Sequence, residues 1–210
     1  MVSLHNVPTI VLVGYWNRMI LTPEWMSANI VDFQAIDVRV PLLPVDPLVY
    51  KLEGIDIEVA GVRLVFRVDR SGQEVFQKIE TMAMRALKTL KDTPIIGLGL
   101  NFSFFEINPG SLLSRCFFTQ DEDFARKSGW VLKDRKFVRN FYKDNRPLTI
   151  TATSSQKGVK LDLNYFYNDQ GFNTDKAVSR LAYGVHQHWA DAVDMLRRTY
   201  GLELESEVTP

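Results

Sequence analysis

Two hydrophobic periods alternate along the chain. Residues 9–16 are a mostly apolar run between Pro8 and Asn17, long enough for a buried strand. Thr22-Pro23-Glu24 then reads as a helix start, with a hydroxyl N-cap, proline at the first helical position and an acid in the first turn. Trp25, Met26, Asn29 and Ile30 follow on that short helix. Residues 33–40 read as extended, and Pro41, Pro44 and Pro47 mark a stiff connection. The period then drops to two. Ile55, Ile57 and Val59 alternate with Asp56, Glu58 and Ala60, and Val62, Leu64, Phe66 and Val68 alternate with Arg63, Val65, Arg67 and Asp69. This is a hairpin signature. A two-residue turn at Ala60-Gly61 places Glu58 opposite Arg63 as a cross-strand ion pair.

A helical period follows. Ser71-Gly72-Gln73-Glu74 matches a capping box, in which serine and glutamate side chains each satisfy a free backbone N–H. The helix it opens carries Val75, Phe76, Ile79, Met82, Ala83, Ala86, Leu87 and Leu90 as one apolar stripe, and residues 91–94 end it.

The order then repeats. Pro94 precedes a long apolar strand at 95–105, as Pro8 precedes the first, and Pro109 follows Pro94 by the same interval as Pro23 follows Pro8. Thr119-Gln120-Asp121-Glu122 is a second capping box, predicting a short helix that stops at Ser128-Gly129. Strands are predicted at 136–142, 148–153 and 159–167, the last opening Gly158-Val159-Lys160-Leu161 like the earlier Gly61-Val62-Arg63-Leu64. One final helix from Thr174 shows Val178, Leu181, Ala182, Val185, Trp189, Ala192, Val193 and Leu196, with Gly201 suited to its C′ position.

The expected fold class is α+β: a mainly antiparallel sheet from two pseudo-repeats of strand–helix–strands–helix, with the long helices packed on one face. Residues 1–92 form the first repeat, 93–201 the second and 202–210 a short acidic tail, within one structural unit overall. Neither repeat buries enough on its own, since a lone hairpin under one helix is marginal. Sharing one sheet solves this and leaves the opposite face free to bind.

Composition narrows the function classes. Lys plus Arg and Asp plus Glu are both 25, so the whole chain carries no basic excess for long-range capture of nucleic acid. The single cysteine, Cys116, forms no intramolecular disulfide, and the N-terminal residues lack the charged and apolar regions of a signal peptide; a cytoplasmic location without membrane association is the expectation. No cofactor or metal is implied. Gly97-Leu98-Gly99-Leu100 lacks the third glycine and the following helix of a dinucleotide fingerprint, and glycines inside a strand mark a bulge or a close approach. His186 and His188 are two apart on a helix, so they do not face one metal ion; His188 reads as a hydrogen-bonded, semi-buried side chain. Ser111, Ser114 and Cys116 lack a nucleophile motif, and Asp191 and Asp194 read as a solvated helix face. No catalytic constellation emerges.

The strongest local charge signal lies at 126–146. Arg126, Lys127, Lys133, Arg135, Lys136, Arg139, Lys143 and Arg146 stand against Asp134 and Asp144, with Trp130, Phe137, Phe141 and Tyr142 interleaved. Cations with aromatics suit a polyanion or single-stranded nucleic acid, because phosphates meet cations and bases stack on rings. A sheet edge guarded by charge has the same composition, as does a surface complementary to another protein or to a second copy of this chain, whose remaining residues carry the compensating acidic excess. The candidate contacts for a polyanion or a partner are those eight cations with Trp130, Phe141 and Tyr142.

The strand 94–105 and the run Tyr183-Gly184-Val185-His186-Gln187-His188-Trp189 resemble a sporadically distributed family of uncharacterised bacterial proteins, a resemblance over the last half of the chain that implies no activity. The duplicated order is similar to the TATA-binding-protein-like fold in topology alone. The expectation is therefore a non-catalytic protein-binding or assembly module that uses a sheet face or edge, with a protein partner or a second copy of itself. The alternatives are nucleic-acid or polyanion binding through 126–146, and a small-molecule or enzyme pocket between sheet and helices.

Overall fold

A computed structural model describes residues 3–32, 37–43, 46–70, 72–107, 117, 127–130, 135–155 and 157–202. The elements are β1 (Ser3–Gly14), α1 (Pro23–Asn29), β2 (Asp37–Arg39), β3 (Leu48–Leu52), β4 (Ile55–Ala60), β5 (Arg63–Val68), α2 (Gln73–Thr89), β6 (Ile95–Glu106), β7 (Arg135–Lys143), β8 (Arg146–Ser155), β9 (Gly158–Tyr167), α3 (Thr174–Leu181), α4 (Val185–Met195) and a π-helical turn, Leu196–Tyr200. The fold is α+β, as expected. Nine strands hydrogen-bond in the order β2-β3-β4-β5-β1-β6-β9-β8-β7. The chain divides into two compact units, one of residues 7–101 with 165–189, the other of 1–6 with 102–164 and 190–210. No described helix is long and apolar enough to cross a membrane.

In the first unit, the period-two pattern of β4 and β5 puts Ile55, Ile57, Val59, Leu64, Phe66 and Val68 in the core. The register differs from the expected one. Ala60 lies opposite Arg63 and Glu58 opposite Val65, so the turn is Gly61-Val62, and Glu58 pairs diagonally with Arg67. The cause is β1: the Gly61 and Val62 carbonyls accept from Trp16 N (2.9 Å) and Gly14 N (3.1 Å), which extends the ladder through the turn. Thr22 caps α1 as predicted, its Oγ1 accepting from Trp25 N.

Helix α2 buries its expected stripe from Val75 to Leu87. It packs against α1, β5 and α3. Its N-cap is Gly72, which has no side chain to cap the first turn. Ser71 and the second box, Thr119 to Glu122, lie outside the described residues.

The predicted final helix is two helices. Gly184 adopts φ +98, a left-handed conformation that glycine tolerates and other residues rarely enter. Its N–H bonds back to the Leu181 carbonyl, which ends α3, and its carbonyl accepts from His188 N, which starts α4. Glu80 of α2 completes the restart, its Oε2 accepting from Val185 N at 3.0 Å. Gly201 closes the π-helical turn at φ +62, as its sequence position implied.

In the second unit, β8 buries Leu148, Ile150 and Ala152, and β9 buries Val159, Leu161 and Leu163. Both strands fall where the alternation predicted. The β7–β8 hairpin turns at Asp144-Asn145, with φ +49 and +60, the sign pattern of a type I′ turn.

Candidate functional site

The basic-aromatic segment contributes strand β7, which ends the strand order among the described residues. Lys136, Arg139 and Lys143 are exposed, Arg135, Phe141 and Arg146 half-buried, and Lys127 exposed ahead of the strand. Trp130 is 73% and Tyr142 72% exposed. Arg126 and Lys133 lie outside the described residues.

Alternation splits the strand into two rows. Its register with β8 sets Phe141 opposite buried Leu148, Arg139 opposite buried Ile150 and Phe137 opposite buried Ala152. Arg135, Phe137, Arg139, Phe141 and Lys143 therefore share the face that packs toward the chain's C-terminal helical segment. Two contacts place that segment there. The Arg139 guanidinium lies 4.5 Å from the centre of the Phe137 ring and 6.0 Å from that of Tyr200. Arg146 pairs with Asp191 of α4 as well as with Asp144. Asp191 is thus an ion-pair partner of the sheet, not part of a solvated helix face.

The other row is Lys136, Val138, Asn140 and Tyr142, all exposed. Beside it stand Thr153, Thr151, Thr149 and Pro147 of β8, followed by Lys160, Asp162 and Asn164 of β9. The Asn140 side chain meets Thr149 at 2.8 Å, and Ser103 of β6 donates to Asp162. This face is a lattice of short polar side chains with two apolar members at its edge. The structure brings Lys136, Val138 and Tyr142 together on it. It sets Arg139, Lys143 and Phe141 on the opposite face, and Arg146 is tied to two aspartates.

Val138 was not among the sequence candidates; strict alternation through β7 would have placed it in the Tyr142 row. The turn asparagine, Asn145, accepts from the Tyr142 hydroxyl at 3.0 Å and holds that ring at the hairpin end.

His188 is 0% exposed, so it is fully buried rather than semi-buried. Its Nδ1 is 2.8 Å from the Gly184 carbonyl oxygen, an acceptor, so Nδ1 carries a proton. In the neutral ring, Nε2 accepts from the Tyr167 hydroxyl at 2.8 Å. Tyr165 and Tyr183 stand edge-on at 4.9 and 4.8 Å between ring centres. Both ring nitrogens are engaged, which makes this histidine a structural strut. His186 is exposed.

Gly97 finds its explanation in Phe166: a Cβ there would meet the ring at 2.9 Å, so this glycine makes room for an aromatic side chain of β9, whereas a Cβ on Gly99 would meet its neighbours at ordinary contact distance. Ser111, Ser114 and Cys116 lie outside the described residues. Among the described residues no group of three or more His, Cys, Asp or Glu is placed to hold a metal ion. No protein-family model matches the chain, and no curated protein matches it.

Proposed function

We propose that this chain is a non-catalytic partner-binding or assembly module whose contact surface is β7 with the polar sheet face beside it. The observation that carries the reading is the exposed row in which Val138 and Tyr142 alternate with Lys136 and Asn140 on a strand that ends the order among the described residues, with Trp130 exposed ahead of it. Aromatic side chains on an accessible patch are enriched at interfaces relative to the general surface. A terminal strand also presents unpaired amides that accept another strand.

The duplicated frame is part of the same proposal. Outward from β1 come β5, β4 and β3, and outward from β6 come β9, β8 and β7. In both runs the last strand returns beside the first, which supports two copies of one unit and gives each copy an outer strand.

Panning an extended-peptide library against the full chain tests the reading, with the Val138→Asp, Tyr142→Ser double variant as counter-screen. Sequences that enrich only on the unmodified strand are expected. Enrichment that ignores both substitutions, or none, overturns it. Nucleic-acid binding is the second reading, supported by four cations and no acid on β7. Their division between two faces is poorly suited to one phosphate track. Anisotropy titration of a single-stranded oligonucleotide decides it: an affinity that falls steeply with salt supports nucleic acid, and no binding removes it.

A further inference from the structure

The geometry points to an extended acidic peptide strand as the occupant of the β7 edge, a refinement that rests on the partner-binding reading above. Three observations lead there. β7 is nine residues long and contains no proline, whereas the strand at the other end of the order, β2, has three residues. In an antiparallel pair the residues of the non-hydrogen-bonded sites turn their N–H and C=O groups outward, so about half of a terminal strand's backbone is available to an added strand. Among the described residues, β7 rather than β2 offers enough of it for a register to be specified.

The side chains specify that register. On the helix-side face, cations stand at Arg135, Arg139 and Lys143, spaced by four, with Phe137 and Phe141 between them. On the other face, Val138 and Tyr142 are spaced by four and alternate with Lys136 and Asn140. An added strand alternates its side chains between the same two faces. The matching sequence therefore carries carboxylates on one face, opposite Arg139 and Lys143, and apolar or β-branched residues on the other, against Val138 and Tyr142. That is an alternation of acidic and apolar residues.

Charge also decides against a second copy as occupant. Pairing two β7 strands would gather four cations from each and no acid in one ribbon. Like charges on adjoining strands destabilise, while opposite pairs stabilise. A strand of opposite sign is selected, and self-pairing is suppressed by the same residues.

The test is fluorescence anisotropy with the full chain and a labelled octapeptide alternating Glu with Val. Comparators are the same residues in non-alternating order, poly-glutamate, a single-stranded oligonucleotide, and the alternating peptide N-methylated on the amides of either edge. The alternating peptide is expected to bind about tenfold more tightly than its reordered isomer, since tenfold corresponds to about 1.4 kcal/mol. N-methylation of one edge is expected to abolish binding while the other leaves it intact. Lys143→Glu is expected to weaken binding about tenfold, and a peptide with one Glu replaced by Lys to recover it, a reversal that misfolding does not produce. Equal binding of the reordered peptide, poly-glutamate and oligonucleotide overturns the proposal in favour of a general polyanion site. A dimer seen by light scattering that dissociates on Val138→Asp, with no peptide bound, overturns it in favour of a second copy. If panning enriches β7-dependent sequences that lack the acidic alternation, the partner-binding reading stands and this refinement falls.

Discussion

Glu80 holds the break between α3 and α4, and its removal is the sharpest test of how that break is built. The first N–H groups of α4 have no intrahelical partner, and Glu80 Oε2 takes the one from Val185 at 3.0 Å across 105 positions of sequence. Burial pushes the Glu80 carboxyl above its ordinary value of 4.5, and the Val185 bond opposes this only in part. Two effects therefore compete at neutral pH: the hydrogen bond stabilises the fold, and the partly buried charge costs stability. Glu80→Ala removes the acceptor and is expected to cost about 1–2 kcal/mol, the range for losing a helix cap. At this chain length that lowers the melting temperature by about 2–8 °C. Glu80→Gln keeps an oxygen acceptor without the charge and is expected within about 1 kcal/mol of the parent. The pH dependence follows from the raised value. The folded state binds the proton more tightly than the unfolded chain, so this contribution is complete below pH 4.5 and is lost as pH rises through the folded value. Glu80→Gln lacks this loss, so its stability relative to the parent improves across that window. Urea denaturation of the full chain from acid to neutral pH measures both effects. Equal destabilisation by Ala and Gln, or a Gln difference that does not change with pH, would refute the reasoning.

Three further outcomes follow from the geometry. Tyr50 is fully buried and donates to the Leu21 carbonyl, and burial pushes its hydroxyl up to about 12 from 10. Its contribution is complete below pH 10 and is lost as pH rises through about 12, so Tyr50→Phe should cost about 1–2 kcal/mol at neutral pH and flatten the alkaline limb of a denaturation profile. Gly158→Ala drives a Cβ into the Glu106 carbonyl at φ +138, whereas Gly97→Ala meets the Phe166 ring at 2.9 Å and the Tyr167 carbonyl no closer than 3.4 Å. Calorimetry should show about 3 kcal/mol or more lost by the first and about 1 kcal/mol by the second, because a backbone cannot yield as a side chain does. Asn145→Gly should lie within about 0.5 kcal/mol of the parent, and Asn145→Val should lose about 1–2 kcal/mol, because a β-branched residue resists the left-handed turn position; chemical denaturation reads both.

Local chemistry was readable wherever a local rule decides the outcome. Thr22-Pro23-Glu24 opens α1 because its capping bond is made within three residues, and β4, β5, β8 and β9 follow from alternation because one of their faces is buried. The differences arise where distant residues decide. The β4–β5 register is set by the Gly14 and Trp16 amides of β1, which no inspection of 55–69 reveals. The stripe through 178–196 continues smoothly across Gly184, since α3 and α4 both bury an apolar side; what divides them is a glycine conformation stabilised from α2. The candidate surface divides in the same way. Its cations and rings were visible as composition, but its terminal position depends on strand order, and the loss of Arg146 to the site depends on Asp191, 45 positions away.

The mixture on β7 separates protection from recognition. An edge that is only guarded needs charge, and natural sheets place lysine on such strands to repel neighbours. On that account Val138 and Tyr142 are costs, because exposed apolar side chains on a terminal strand invite the pairing that the cations oppose. On the recognition account they have a use. Cations bar a second basic edge, apolar side chains stabilise whatever does dock, and together they admit a strand of opposite charge while excluding a copy of the same strand. Replacing Val138 and Tyr142 with lysine distinguishes the two. Under protection alone, solubility and stability should improve with nothing lost; under recognition, the same change should abolish binding of the alternating acidic peptide even as it increases the positive charge that attracts it.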